Sequence, residues 1–160
     1  MSKVKLDETD HQILNMLIEN TRTPFTDIAK KLLISAGTVH VRVKKMEEMG
    51  IIIGSSLSLD YKKLGYTFIA YVGIFLKKTS QTQFVINRIK EIPNVTVASI
   101  TTGKYNIFCK LRARNTDHAK EVIFQIDDIE GVQRTETMIS LEESINDKKR
   151  LMHSIFSEIK

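Results

Sequence analysis

Apolar residues in the first fifty positions recur every three or four residues in three separate stretches, which is the spacing of amphipathic helices. We expect helices over residues 7–20, from about residue 26, and over 36–49. Asp7 and Ser35 stand where the first and third helices would be capped, and Gly50 stands where the third would end. Because the turn between the last two helices is short, they should cross steeply, as in a helix-turn-helix.

The segment after the third helix has a different pattern. Residues 51–53 and the pair Leu57 and Leu59 are apolar and flank a Gly-Ser turn at 54–56, which predicts short strands or extended chain, as in a wing followed by a linker. Residues 61–65 are polar and end in a glycine, which is typical of a domain boundary.

Strand and helix patterns alternate in the second half of the chain. The predicted strands are 66–77, 95–102, 106–113 and 132–141, and the predicted helices are 82–91 and 117–127. The order βαββαβ predicts a ferredoxin-like sandwich, so the whole chain is of the α+β class. A faint repeat, in which a turn-forming residue precedes Val95 and Val132, supports this order.

The first of these strands is apolar on both faces. One face carries Phe68, Ala70, Val72, Ile74 and Leu76, and the other carries Ile69, Tyr71 and Phe75. A sheet with helices on one side alone normally has a polar outer face. The second apolar face therefore predicts contact with another subunit, and we expect a dimer formed through the sheet faces.

Composition narrows the class of protein. The chain has 160 residues, of which 42% are hydrophobic, so it suits one or two small domains that need no metal or disulfide to fold. We divide it into 1–60, 61–143 and a C-terminal tail, 144–160. One cysteine excludes an internal disulfide, and the four histidines lack metal-binding spacing. Since the longest apolar run is about half a membrane span, we expect a cytoplasmic protein that holds no metal or cofactor and has no membrane contact.

The net charge of +5 is distributed unevenly. Residues 1–60 hold eight basic and eight acidic residues, so the surplus belongs to the rest of the chain. Within the first half, however, a stretch without any acidic residue, 28–46, holds Lys30, Lys31, Arg42, Lys44 and Lys45. Such clustering is typical of a nucleic-acid contact, although a solvated helix face has the same composition.

The third predicted helix separates into two faces on a helical wheel. Val39, Val43 and Met46 fall in a narrow arc that should pack on the other helices. A major-groove helix needs cations for phosphates or guanine, a hydroxyl for a base edge and an apolar group for a thymine methyl. The predicted DNA-binding residues are Ser35 at the cap, Gly37, Thr38, His40, Val41, Lys44 and Lys45 on the outward face, and Arg42 on the flank. A winged helix used only for protein contacts is the alternative.

These features together resemble the leucine-responsive and asparagine-responsive (Lrp/AsnC) transcription regulators. The resemblance runs from about residue 6 to 143 and includes Leu6-Asp7, Ile13-Leu14, Ile28-Ala29, Leu33-Ile34-Ser35, Val39, Arg42-Val43, Met46-Glu47 and Gly50-Ile51-Ile52. Three blocks, 37–43, 101–108 and 135–137, resemble the asparagine-responsive type most. The resemblance implies three kinds of partner: double-stranded DNA, an amino acid, and further copies of the chain in dimers and then tetramers or octamers. The family usually has Pro where this chain has Ala36, which slightly reduces preorganisation of the helix start.

The same resemblance implies an effector site in the turn between the second and third strands, at Thr101, Thr102, Gly103, Lys104, Tyr105 and Asn106. A glycine there allows close backbone approach, main-chain N–H groups can hold a carboxylate, and an Asn side chain suits an amide. Asparagine is accordingly the expected effector. Lys104 and Asn106 replace two acids of the family turn, which favours recognition of a carboxylate or a neutral side chain over a basic amino acid. An ordinary hairpin without a ligand is the alternative.

The tail combines basic residues at 148–150 with apolar residues at helical spacing, which predicts a short amphipathic helix. Its apolar residues are Leu151, Met152, Ile155, Phe156 and Ile159. The whole sequence predicts an amino-acid-responsive transcription regulator and not an enzyme, since Cys109 falls in a strand with no histidine near it in sequence. Two other functions stay open: a chromatin-like architectural DNA-binding protein, and an amino-acid-sensing module that controls a partner enzyme.

Overall fold

The computed structural model describes residues 6–147 and 149–157. The chain divides into two compact units, one ending at Ser58 and also including the chain from Ile145 onward, and the other comprising Leu59–Ser144. The tail that we separated at residue 144 thus groups with the N-terminal unit. Lys148, Ile159 and the side chain of Phe156, which we included in the predicted amphipathic tail, lie outside the described residues.

Three helices form the first unit: α1 (Glu8–Glu19), α2 (Phe25–Leu32) and α3 (Ala36–Glu48). Their positions confirm the helical spacing of the sequence to within two residues at each end. Asp7 caps α1 in a reciprocal arrangement with Asp10, each carboxylate accepting from the other residue's backbone N–H at 2.8 and 3.2 Å. The turn between α2 and α3 passes through Leu33 at φ 57°, which ends α2 in a left-handed conformation.

The core of this unit is small and apolar. It consists of Ile13, Leu14, Ile28, Ala29, Val39, Val43 and Met46. The three α3 residues of this core are those that the helical wheel turned inward. The packing therefore fixes which face of α3 is left outside.

The segment between α3 and β1 contains no hydrogen-bonded strand. Of the two conformations expected for residues 51–59, strand or extended chain, the structure shows irregular chain without a ladder. Residues 60–66 then form tight turns that end at Gly65, where φ is 84°. Ile51 and Ile52 are partly buried against the core of the first unit, whereas Ile53 is 93% exposed and Leu57 70% exposed.

The second unit contains β1 (Phe68–Leu76), a short 3-10 turn (Thr79–Gln81), α4 (Thr82–Ile89), β2 (Val95–Ile100), β3 (Ile107–Ala113), α5 (Thr116–Asp127) and β4 (Val132–Ile139). The four strands form one sheet in the order β2-β3-β1-β4, and each neighbouring pair is antiparallel. The βαββαβ order and the α+β class are confirmed.

Helices α4 and α5 cover one face of the sheet. Between them and the sheet lies a core that includes Ala70, Val72, Ile74, Val85, Ile89, Ile107, Leu111, Val122 and Ile126. The other face of β1 carries Ile69, Tyr71, Gly73 and Phe75, and we call it, with its neighbours on the adjacent strands, the outer sheet face. Tyr71 and Phe75 are half-buried on that face already within one chain.

The tail forms the predicted helix, α6 (Arg150–Ser157). Just before it, Lys149 Nζ donates to the backbone carbonyl of Glu19 at 3.3 Å and to its carboxylate at 3.1 Å. A cation at this place stabilises the end of α1, because the last carbonyls of a helix carry partial negative charge.

Candidate DNA interface and effector site

The start of α3 is organised by a side-chain cap. Ser35 Oγ accepts the backbone N–H of Thr38 at 3.0 Å and lies 2.8 Å from the Thr38 hydroxyl. The cap predicted at Ser35 is confirmed. Because Thr38 is half-buried and its hydroxyl contacts Ser35, a base edge would have to share that hydroxyl.

The outward face of α3 carries five of the predicted DNA-binding residues. Gly37, His40, Val41, Lys44 and Lys45 are all exposed, while Val39, Val43 and Met46 on the opposite face are buried. Val41 is 65% exposed and lies one turn before Lys44 and Lys45 on the same face. An exposed apolar side chain beside cations fits a surface that contacts a base.

A cleft of about 780 Å³ lies beside this face. It is lined by Leu6, Asp7, Asp10, Ser35, Gly37, Thr38, Val41, Arg42 and Lys45. The structure therefore brings six of the eight predicted DNA-binding residues to one concavity, and His40 and Lys44 lie outside its lining.

Arg42 has a different environment from the one expected. Its NH1 group donates to Asp7 Oδ2 and to Asp10 Oδ1, each at 2.7 Å, and the side chain is 30% exposed. The hydrogen bond from Arg42 holds the pKa of the Asp7 carboxyl below its usual value, and the same bond raises the pKa of Arg42. The structure thus couples α3 to the start of α1 through Arg42, and the DNA contact expected of Arg42 stays a prediction.

In the second unit, the turn between β2 and β3 is closed by its own residues. Thr101 N–H donates to the carbonyl of Asn106 at 3.1 Å, and the Thr101 hydroxyl donates to the carbonyl of Tyr105 at 2.5 Å. Thr102, Gly103 and the Lys104 side chain are exposed. The turn is therefore a preformed loop whose tip faces solvent.

Asn106 extends the pairing of β1 with β3. Its Oδ1 accepts the N–H of Leu76 at 2.9 Å, and its own N–H donates to the carbonyl of Ile74 at 3.0 Å. The side-chain oxygen that we expected to meet an effector amide is thus bound to the backbone of β1. This corrects the sequence-based role of Asn106.

Nothing within the chain itself requires a glycine at position 103. Its φ lies outside the left-handed region, and a Cβ placed on it would have no atom within 4 Å. The expectation that it allows close approach of a ligand stays a prediction.

The side chains of Lys104 and Tyr105 meet a residue that sequence reasoning did not select. Glu136 on β4 accepts from Lys104 Nζ at 2.6 Å, from the Tyr105 hydroxyl at 2.9 Å and from Arg134 NH1 at 2.5 Å. These hydrogen bonds, that of Lys104 foremost, lower the pKa of Glu136 to about 2. We call Lys104, Tyr105, Arg134 and Glu136 the turn cluster.

The turn cluster rests on an aromatic layer over the outer sheet face. Tyr105 packs edge-on against Phe75 with ring centroids 5.2 Å apart and lies 5.8 Å from Phe108. The Arg134 guanidinium lies 3.6 Å from the centre of the Phe75 ring. A Cβ on Gly73 would come within 2.4 Å of the Tyr105 ring, so the glycine makes room for it.

Comparisons with known proteins match both units. Residues 6–53 match the family described as winged helix-turn-helix DNA-binding, and residues 69–149 match the Lrp/AsnC ligand binding domain. The regulatory protein AsnC of Haemophilus influenzae is 38% identical over 141 residues, which is 88% of this chain and 94% of that protein.

The chain belongs to the Lrp/AsnC family. The structure of E. coli AsnC superimposes with a TM-score of 0.85 at 36% identity and covers 89% of this chain and 97% of that one. Rv3291c of M. tuberculosis, solved with L-methionine, has the same fold with a TM-score of 0.83 at 22% identity, over 90% and 97% of the two chains. The chain is thus a DNA-binding transcription regulator of the amino-acid-responsive Lrp/AsnC type.

The Lrp/AsnC chain carries a second ion cluster on its outer sheet face. Glu143 accepts from Lys110 and, at 3.0 Å, from Arg112, and the Arg112 guanidinium lies 5.1 Å from the centre of the Tyr61 ring. Lys110 lowers the pKa of Glu143. Only the three-dimensional structure could show this cluster, since Tyr61 and Glu143 lie at opposite ends of the second unit.

The described part of the chain offers neither a metal site nor a membrane span. Residues 6–147 and 149–157 hold no group of three or more metal-ligating side chains and no helix long and apolar enough to cross a membrane. Cys109 lies in the core of the sheet, where burial raises the pKa of its thiol to about 11. A thiol in that environment is protonated at neutral pH and is a poor nucleophile.

Proposed function

We propose that this regulator binds operator DNA in a sequence-specific way with the outward face of α3 in the major groove. The observation that carries the proposal is the exposed face of α3, on which Val41, Lys44 and Lys45 lie together beside a cleft. Lys44 and Lys45 serve as phosphate or guanine contacts, and Thr38, His40 and Val41 meet base edges. Arg42 supports the helix through α1 and is not assigned a base contact.

The second unit senses an amino acid at the turn of residues 101–106. Three observations support this: the match to the ligand binding domain, the methionine found with the M. tuberculosis relative, and the preformed loop with an exposed tip. The resemblance to AsnC makes asparagine the reference ligand with which other amino acids are compared. The chain carries no catalytic role in this proposal and works in the cytoplasm on DNA.

The chain self-associates through the outer sheet face into a dimer and then into tetramers or octamers. Met138 and Val97 support this, since both are apolar and 43% and 52% exposed on that face. Ligand bound at the turn, between subunits, favours one assembly over another and thereby shifts DNA affinity, which is linkage between two sites. A dimer would present two α3 helices to two half-sites.

Fluorescence anisotropy with DNA from upstream of the chain's own gene tests the DNA half. Lys45→Ala should weaken binding and lower the slope of log affinity against log salt by about one, whereas the control Lys78→Ala should leave the slope unchanged. Thr38→Ala and His40→Ala should change the preference among DNA sequences. Equal loss on every sequence for all α3 variants would indicate an architectural protein, and no binding at all would indicate a module acting on a partner enzyme.

Calorimetry with the twenty amino acids, together with light scattering with and without asparagine, tests the sensing half. We expect heat of binding for at least one amino acid and a change of assembly with that ligand. If no amino acid gives heat and none changes the assembly, the sensing role is wrong while the DNA-binding role stands.

A further inference from the structure

The charges of the turn cluster indicate which kind of ligand it can bind. Lys104 and Arg134 bring two positive charges to the single negative charge of Glu136. Their side chains are 62% and 51% exposed, and that of Glu136 is 32% exposed. The cluster therefore presents one uncompensated positive charge at the tip of the effector turn.

The four side chains of the cluster differ in how they are held. Arg134 stacks on Phe75, and the Tyr105 ring lies between Gly73, Phe75 and Phe108. Within one chain Lys104 is the most exposed of the four, and besides its ion pair with Glu136 it lies 5.9 and 5.3 Å from the centres of the Phe75 and Tyr105 rings. The site thus combines a guanidinium and a phenol packed on aromatic rings with an ammonium at the edge of the cluster, where a further carboxylate can approach both cations.

We propose that the effector of this chain is an acidic amino acid, aspartate or glutamate, and that Lys104 and Arg134 select its second carboxylate. This inference rests on the proposed amino-acid sensing and names the class of ligand. An acidic amino acid carries two carboxylates and one ammonium, which is the complement of two cations and one carboxylate. Asparagine carries one charge of each sign and would leave one cation of the cluster without a partner.

Charge decides between these two ligands because they are otherwise nearly isosteric. Aspartate and asparagine differ by an oxygen in place of an NH₂ group, so size and shape favour neither. A carboxylate offers two charged oxygens to the guanidinium and the ammonium, whereas an amide offers one neutral oxygen, and its NH₂ group would compete with the ligand ammonium for Glu136, which already accepts from Lys104, Tyr105 and Arg134. Asn106, which could have offered an acceptor to that amide, is bound to Leu76 through its side-chain oxygen.

Calorimetry on the full-length chain at physiological ionic strength tests the proposal, with L-aspartate, L-asparagine, L-glutamate and L-glutamine as probes. We expect aspartate to bind about two- to fivefold more tightly than asparagine, the range expected of one exposed charge pair. Lys104→Met should bring the ratio of the aspartate and asparagine affinities close to one. Lys120 is an exposed lysine on α5, and Lys120→Met should leave that ratio unchanged. Thermal unfolding of each variant checks that it is folded.

The possible results distinguish the preference for an acidic ligand from the amino-acid sensing on which it rests. An asparagine affinity equal to or above that of aspartate overturns the inference and leaves amino-acid sensing intact. A preference for aspartate that survives Lys104→Met overturns the role given to the turn cluster. If none of the twenty amino acids binds, both the inference and the proposed sensing are wrong.

Discussion

Arg42 lies on the helix that is expected to read DNA, yet its observed contacts join that helix to α1. One guanidinium nitrogen donates to two carboxylates, Asp7 and Asp10, and Asp10 is only 13% exposed. Charge-assisted hydrogen bonds with partly buried partners stabilise a fold more than exposed pairs do. A cation in a basic stretch can therefore stabilise the fold instead of contacting DNA, and sequence alone does not distinguish these two roles.

Arg42→Gln should destabilise the first unit by about 1–2 kcal/mol, which is the range for charged hydrogen bonds reduced for partial exposure. Urea unfolding followed by circular dichroism measures this. Lys44→Gln is the matched control on the same helix, because its ion pair with Glu48 is long, at 4.0 Å, and exposed. Equal stability of the two variants would show that Arg42 does not hold α1.

The ion pair of Arg42 with Asp7 makes the stability of the first unit depend on pH in a defined direction. The folded pKa of Asp7 lies below its ordinary value of 3.8, so its stabilisation is present above that pH and is lost as pH falls through the folded value. The stability difference between the native chain and Arg42→Gln should thus be constant near neutrality and shrink below about pH 4. A difference that grows in acid would contradict the ion pair.

Glu136 should titrate far below an ordinary glutamate. Carbon-detected NMR of its carboxyl group should show a midpoint near 2, and Lys104→Gln should move that midpoint upward toward 4.5. The stabilisation it provides is present above the unfolded pKa and is lost between those values as pH falls. An unshifted midpoint in the native chain would mean that the turn cluster does not form in solution.

At the scale of elements, the alternation is clearest in β3, where every second side chain is buried, whereas β2 and β4 are exposed over most of their length. The chain of residues 51–59 has a similar apolar content, yet forms no ladder. A strand is defined by its hydrogen-bonded neighbour, and the pattern of one segment does not contain that information. The helices had no such dependence, because their hydrogen bonds are local.

Two glycines of the sensing unit offer a paired test of the effector turn. Gly73→Ala should destabilise the second unit by about 1–3 kcal/mol, because its Cβ would overlap the Tyr105 ring. Gly103→Ala should leave the melting temperature unchanged, since its Cβ meets open space. Thermal unfolding compares them. A stable Gly73→Ala chain would mean that the Tyr105 ring has another place to go.

At the scale of the molecule, assembly should depend on the outer sheet face and not on the helical face. Met138→Asp should lower the mass measured by light scattering, because a charge there would be buried between subunits. Phe124→Asp on α5, with a similar exposure of 55%, is the control and should keep the assembly. Dissociation caused by Phe124→Asp instead would assign the interface to the helical face.

The sequence by itself determined the elements, their order, the family and the outward face of α3, because these follow from local periodicity, caps and spacing. Only the tertiary structure decided that Arg42 pairs with Asp7 and Asp10, that Asn106 binds the backbone of β1, and that Glu136 meets Lys104. Each of these contacts joins residues about 30 or more positions apart. Charges that are distant in sequence become partners only when the packed core fixes the register of helices and strands, so the chemistry of the site emerges with the fold.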